Sequence, residues 1–132
     1  ESCTNHFIQC ALASVMDKVD KDAKSILDKL KNRRDTCVKI LNSVRGLSLS
    51  TPDSTFYLYL NVGDLMKNKN IIDIESFRKN VLKNTGVAFC TRNHFGSVNT
   101  SQDENYIRLA YSGINSEAIK EGLIRFKNWI EN

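Results

Sequence analysis

Few groups in this 132-residue chain are both reactive and distinctively placed: it holds two histidines, four cysteines, and 19 lysines and arginines against 15 carboxylates. One arginine stands apart. In "NYIRLAYSG", residues 105–113, Arg108 interrupts an apolar, strand-like run. Alternation with a period of two sends Ile107, Leu109 and Tyr111 to one face, and Tyr106, Arg108 and Ala110 to the other. The first set has the character of a core. On the second, an always-charged guanidinium between a phenol and a methyl group needs water or an anion. Its planar fork of donors suits a carboxylate. The plainer structural alternative pairs Arg108 with a nearby Asp or Glu on a wet sheet face.

The cysteines and histidines offer a second constellation. Cys3, His6 and Cys10 fall at i, i+3 and i+7, one side of a helix, and with His94 as a fourth ligand they have the donor types of a zinc site. Small cysteines on an amphipathic helix account for the same spacing without a metal, and no metal is expected. Cys37 and Cys90 complete the set, with no C-x-x-C pair. Four cysteines permit three pairings, but a chain of this length can bury enough surface to fold without any. Free thiols in a reducing compartment are the simpler account, so a cytoplasmic location is expected.

Charge narrows the partners. The net charge is +4, and the basic stretch from Lys18 to Lys39 is interleaved with Asp17, Asp20, Asp22, Asp28 and Asp35. Mixed signs along a helix describe a solvated face. Phe56, Tyr57 and Tyr59 raise the idea of a base-stacking sheet, but no basic rim accompanies them. No nucleic-acid partner is expected. No apolar run approaches the roughly 20 residues that cross a bilayer, and no membrane partner is expected either.

The elements that must position these groups follow from periodicity. Thr4 or Asn5 can cap a helix through "HFIQCALASVMD". A longer helix is expected from about Asp20 to Val44, with Ala23, Ile26, Leu27, Leu30, Cys37, Leu41 and Val44 on its inner stripe and Gly46 as its stop. With no Pro or Gly between them, the two could form one kinked helix. "STFYLYLNV", residues 54–62, has the β-branched and aromatic content of a strand. Asp73 can cap a helix to about Lys83, "GVAFCT" (86–91) is a short strand, and "RNHFGSVNTSQDE" is a loop. The strand carrying Arg108 follows, and Asn115 then caps a final helix striped by Ile119, Leu123, Phe126 and Ile130. The order implies one α+β domain: a small, mostly antiparallel sheet of three to four strands, helices packed on one side, and a long N-terminal helix.

Taken in order, several of these segments resemble the C-terminal small domain of class I/II, fold-type-I pyridoxal-phosphate-dependent aminotransferases. "TPDSTFYLYLNV" is similar to the family's P-x-G-x-F-Y strand, with Ser54 standing at or near the glycine. "FRKNVLKNTGVAFCTRNHFG" resembles its helix, G-V strand and F-G loop, with Thr91, Arg92, Asn93 and His94 where Pro-Gly is usual. "NYIRLAYSG" resembles the Y-I-R-L segment and "NSEAIKEGLIRFKNWI" the closing helix. "SCTNHFIQCALASVM" is similar to the helix leading out of the large domain. The resemblance implies a division at residue 17, with 1–17 ending the interdomain helix region and 18–132 forming the small domain.

It also implies a role for Arg108, which would grip the α-carboxylate of an amino acid while its amino group passes to a 2-oxo acid. Arg92 and His94 would lie either at the active-site mouth, selecting side chains, or on a solvent-facing loop. The Schiff-base lysine, the acid facing the pyridine nitrogen and the phosphate cup belong to the family's large domain. The expectation is therefore a fragment, inactive alone and without its own pyridoxal 5'-phosphate, from an enzyme that is usually a homodimer. The rival reading is a free-standing α+β module that binds an anionic metabolite through Arg108.

Overall fold

A computed structural model describes residues 3–96 and 105–132. Helix α1 (His6–Val15) starts at Asn5, whose side chain accepts from the Phe7 N–H at 3.0 Å. A 3-10 turn at Met16–Lys18 separates it from α2 (Val19–Leu41), so the chain bends between two helices without Pro or Gly. No residue of α1 is buried: Phe7, Ile8 and Leu12 are all exposed. The first half of α2 departs from expectation in the same way. Ile26 and Leu27 face solvent, and full burial begins at Cys37 and Leu41. The stripe is amphipathic throughout, but the helix overhangs the body it packs on.

The end of α2 also comes early. Gly46 takes the left-handed conformation (φ 83°), yet α2 closes at Leu41. Two tight turns follow, in which the Ser43 and Val44 N–H groups donate to the carbonyls of Ile40 and Leu41. Val44 and Leu47 still reach the core.

Strand β1 (Tyr57–Asn61) is shorter than the expected 54–62 run because Thr55 holds a positive φ of 70°, which ends the extended backbone. A short helix that periodicity did not reveal, α3 (Gly63–Asn68), buries Gly63, Leu65 and Met66. Helix α4 (Ile74–Thr85) is capped by Asp73, which accepts from the Ser76 N–H at 2.7 Å, and it stops at Gly86 in the left-handed region (φ 73°). The backbone beyond Gly86 is committed to that helix end: the Val87 N–H donates to Thr85 Oγ1 at 3.1 Å. Only Cys90 and Thr91 therefore form strand β2, where a strand over 86–91 was expected. Strand β3 (Tyr106–Ala110) and helix α5 (Ser116–Glu131, capped by Asn115) complete the described elements.

The architecture is α+β. Among the described residues the sheet has three strands in the order β1-β3-β2, every pair antiparallel. Leu58 and Leu60 of β1 and Ile107 and Leu109 of β3 point to one face, where Cys37, Leu41, Phe77, Val81, Leu123 and Phe126 from α2, α4 and α5 close over them. That face is the core. The other is bare of helices among the described residues, and it carries Tyr57, Tyr59, Tyr106 and Arg108.

Candidate functional site

Arg108 occupies the middle of the middle strand. Its register partners are Tyr59 on β1 and Cys90 on β2, so its side chain rises from the centre of the bare face. Two rings hold it there. The guanidinium carbon lies 4.3 Å from the centroid of Tyr57 and 4.2 Å from that of Phe95. Each contact sets a cation against a ring's negative face. Nη2 also lies 4.0 Å from Cys90 Sγ, a weak contact. No Asp or Glu among the described residues forms an ion pair with Arg108. The two rings pack against the guanidinium, whose planar fork can offer two N–H donors to the two oxygens of a carboxylate.

A groove of about 640 Å³ opens beside it, between the bare face and the segment from Ser48 to Pro52. Ser48, Ser50, Thr51, Tyr59 and Asn61 contribute hydroxyl and amide groups to its lining, and among the described residues Arg108 is its one charged lining residue. Tyr59 and Tyr106 stack at 4.8 Å with planes 11° apart, forming a flat aromatic wall along it. Two hydrogen bonds fix the outer rim. Arg34 of α2 donates to the Pro52 carbonyl at 3.1 Å, and the Tyr111 hydroxyl donates to the Thr55 carbonyl at 2.8 Å.

Arg92 and His94 lie together in a 3-10 turn, Arg92–His94, directly after β2. The turn is capped reciprocally. The His94 backbone N–H donates to the Thr91 side chain, and the Thr91 N–H donates to His94 Nδ1 at 3.2 Å. Thr91 Oγ1 in turn donates to Glu75 in the first turn of α4, and Nδ1 lies 3.8 Å from the same carboxylate. The Thr91 hydroxyl, and after it the Arg78 guanidinium at 2.7 Å, hold the Glu75 carboxyl below its ordinary pKa. Arg92 donates to the Phe95 carbonyl at 2.8 Å. Both residues thus border Phe95, the ring on Arg108. Sequence reasoning did not pick out Phe95, Tyr57 or Glu75 as part of this assembly. The F-G pair of the loop was the available signal for Phe95.

The suggested zinc set does not assemble. His6 Nε2 and Cys10 Sγ lie 3.6 Å apart on α1, His94 is engaged with Thr91 and Glu75, and no three His, Cys, Asp or Glu side chains converge among the described residues. Cys3, Cys10, Cys37 and Cys90 are all free thiols. No helix among the described residues is long and apolar enough to cross a membrane.

A pyridoxal phosphate site needs a lysine, an acid and a phosphate cradle meeting at one place. Among the described residues the lining of the groove beside Arg108 holds neither a lysine nor a carboxylate, so that groove does not fit the cofactor.

Comparison with known proteins agrees with this fold. Residues 2–126 match the family described as aminotransferase class I and II. The chain is 26% identical over 129 residues to an aspartate aminotransferase of Sulfolobus acidocaldarius, covering 98% of this chain and 31% of that protein. Among solved structures, an aminotransferase from Mycobacterium tuberculosis superposes with a TM-score of 0.66 at 25% identity, over 84% of this chain and 26% of that one. A pyridoxal-phosphate-bound C-S lyase from Staphylococcus hominis shares the fold, with a TM-score of 0.73 at 19% identity over 89% of this chain and 29% of that one. The chain belongs to the class I and II aminotransferase family. It spans about a third of the length of the aspartate aminotransferase it matches.

Proposed function

We propose that this chain is the small-domain part of a pyridoxal-phosphate-dependent aminotransferase, and that Arg108 binds the α-carboxylate of its amino-acid and 2-oxo-acid substrates. One observation carries the reading: a guanidinium in contact with the rings of Tyr57 and Phe95 on the bare sheet face, without a carboxylate partner among the described residues. A cation so placed is partly shielded from water by two rings. An incoming carboxylate completes it, and the paired hydrogen bonds fix the substrate's direction as well as its charge. Orientation is what an amino-transfer site most needs, because the bond to be broken must stand at a set angle to the cofactor.

The cofactor, when bound, supplies the electron sink for that chemistry. In this reading its lysine, its acidic partner and its phosphate cradle come from outside these 132 residues, which alone hold no cofactor and turn nothing over. Residues 1–17 then lead in from the cofactor-binding part, and the 3-10 turn at Met16–Lys18 supports a boundary near residue 17. The intact enzyme is taken to be a cytoplasmic homodimer. A carboxylate grip would serve a lyase equally well, but the sequence similarity to an aspartate aminotransferase favours transfer.

The test is Arg108→Gln in the full-length protein. Loss of a bidentate charged contact lowers kcat/KM for the amino donor by roughly two orders of magnitude. A change of less than about threefold would remove the reading. Separately, the 132 residues mixed with pyridoxal phosphate should give no saturable yellow absorbance that borohydride fixes to a unique lysine. A free-standing anion-binding module would instead bind small carboxylates by itself, and calorimetry on the isolated chain distinguishes the two.

A further inference from the structure

We propose that Glu75 and Thr91 are positioning residues for Arg108, acting through Phe95. The inference rests on the carboxylate-binding role of Arg108 given above. The connection can be followed atom by atom. Arg78 pins Glu75 in the first turn of α4 at 2.7 Å. Glu75 accepts from the Thr91 hydroxyl, and Thr91 is fully buried at the end of β2. The same Thr91 side chain accepts from the His94 backbone N–H, while His94 Nδ1 accepts from the Thr91 N–H. These bonds close the single turn whose next residue is Phe95. The Phe95 N–H donates back to the Arg92 carbonyl at 3.0 Å, and the Arg92 guanidinium donates to the Phe95 carbonyl at 2.8 Å. Both backbone polar groups of Phe95 are thereby held, and its ring lies 4.2 Å from the guanidinium carbon of Arg108.

The turn has no proline to stiffen it, and a 3-10 turn of three residues has little stability of its own. Its rigidity comes from the reciprocal cap and the tie to α4. Phe95 is more than a third exposed, so core packing does not fix the ring either. Removing the Thr91 hydroxyl would free the turn from α4 and let the ring leave Arg108. The guanidinium would then keep its charge and lose one of its two ring contacts. Carboxylate binding should suffer more than the chemical step.

The experiment uses the full-length, cofactor-loaded protein and two readouts: the dissociation constant of propanoate, an unreactive carboxylate, and kcat and KM for the amino donor. Thr91→Val keeps the shape of the buried side chain and removes its hydroxyl. Phe95→Leu alters a half-exposed ring and spares the turn. Both should weaken propanoate and raise KM about two- to fivefold with kcat unchanged, and Thr91→Ser should restore the parent values. If Arg108→Gln weakens propanoate but Thr91→Val does not, the positioning role is lost and the carboxylate role of Arg108 stands. If Arg108→Gln changes nothing, both fall. If Thr91→Val lowers kcat and raises KM alike and serine does not restore them, Thr91 only holds the fold together, and the proposal is overturned.

Discussion

Tyr57 lies diagonally across the β1–β3 ladder from Arg108, and its ring centroid stands 4.3 Å from the guanidinium carbon. The contact depends on the ring's face rather than its hydroxyl. Tyr57→Phe should therefore leave KM for the amino donor unchanged, whereas Tyr57→Leu should raise it by about two- to fivefold, the effect of losing one partly exposed cation–π contact. Steady-state kinetics on the two variants side by side decides the point, since equal values for Phe and Leu would assign the ring no part.

Thr55 is a β-branched residue at φ 70°, in the left-handed region that side chains of its kind avoid. Its carbonyl is kept in place by the buried Tyr111 hydroxyl. Glycine there relieves roughly 1–2 kcal/mol of backbone strain and forfeits about 0.5–1 kcal/mol through the freer unfolded chain. Thr55→Gly should raise Tm by a few degrees in a thermal melt. A lower Tm would mean that Thr55 is better accommodated than its backbone angle indicates.

Burial pushes the Cys37 thiol up to about 11, while Cys3 and Cys10 lie on the exposed surface. A thiol-labelling time course at pH 8 should modify Cys3 and Cys10 at once and Cys37 only with unfolding, so mass spectrometry should find Cys37 unlabelled in the native chain. The sign of the linkage follows. With its folded value raised, the neutral Cys37 stabilises the fold fully below the ordinary thiol range, and that contribution is lost as pH climbs toward 11.

Glu75 has the opposite linkage. Its folded value is depressed by the Thr91 hydroxyl first and by Arg78 second, so its stabilisation is fully present at neutral pH. It drains away as pH falls from about 4.5 through the lower folded value. Glu75→Gln should lower Tm at pH 7 and narrow the difference in Tm between pH 7 and pH 3. An unchanged difference would indicate that the carboxylate's charge does not matter to the fold. Asp73, depressed by its helix-capping bonds to Ser76, adds an acid-side loss that this variant leaves intact.

The parts of this protein that obey a simple period were readable in advance. Two-residue alternation placed Ile107, Leu109 and Tyr111 in the core and Arg108 opposite them, and Asn5, Asp73 and Asn115 cap the helices they precede. Errors arose where tertiary context decides. Ile26 and Leu27 carry the right spacing for burial but sit on an overhanging stretch of helix. Helix α3 is too short for a period to register. Strand β2 loses its first residues to the cap of α4, a contest between two kinds of backbone bonding that composition does not reveal. The ring contacts were invisible for a different reason: Tyr57, Phe95 and Arg108 meet only after three strands, and the turn that follows β2, have been brought together.

The sheet divides its labour by parity. Along β3 the odd-numbered side chains are sealed under helices, and the even-numbered ones look outward from the other surface. Replacements at outward positions such as 106 or 108 leave the hydrophobic interior as it was. A lineage can thus revise what the open surface grips, one alternate residue at a time, while the melting behaviour of the body beneath scarcely registers the change.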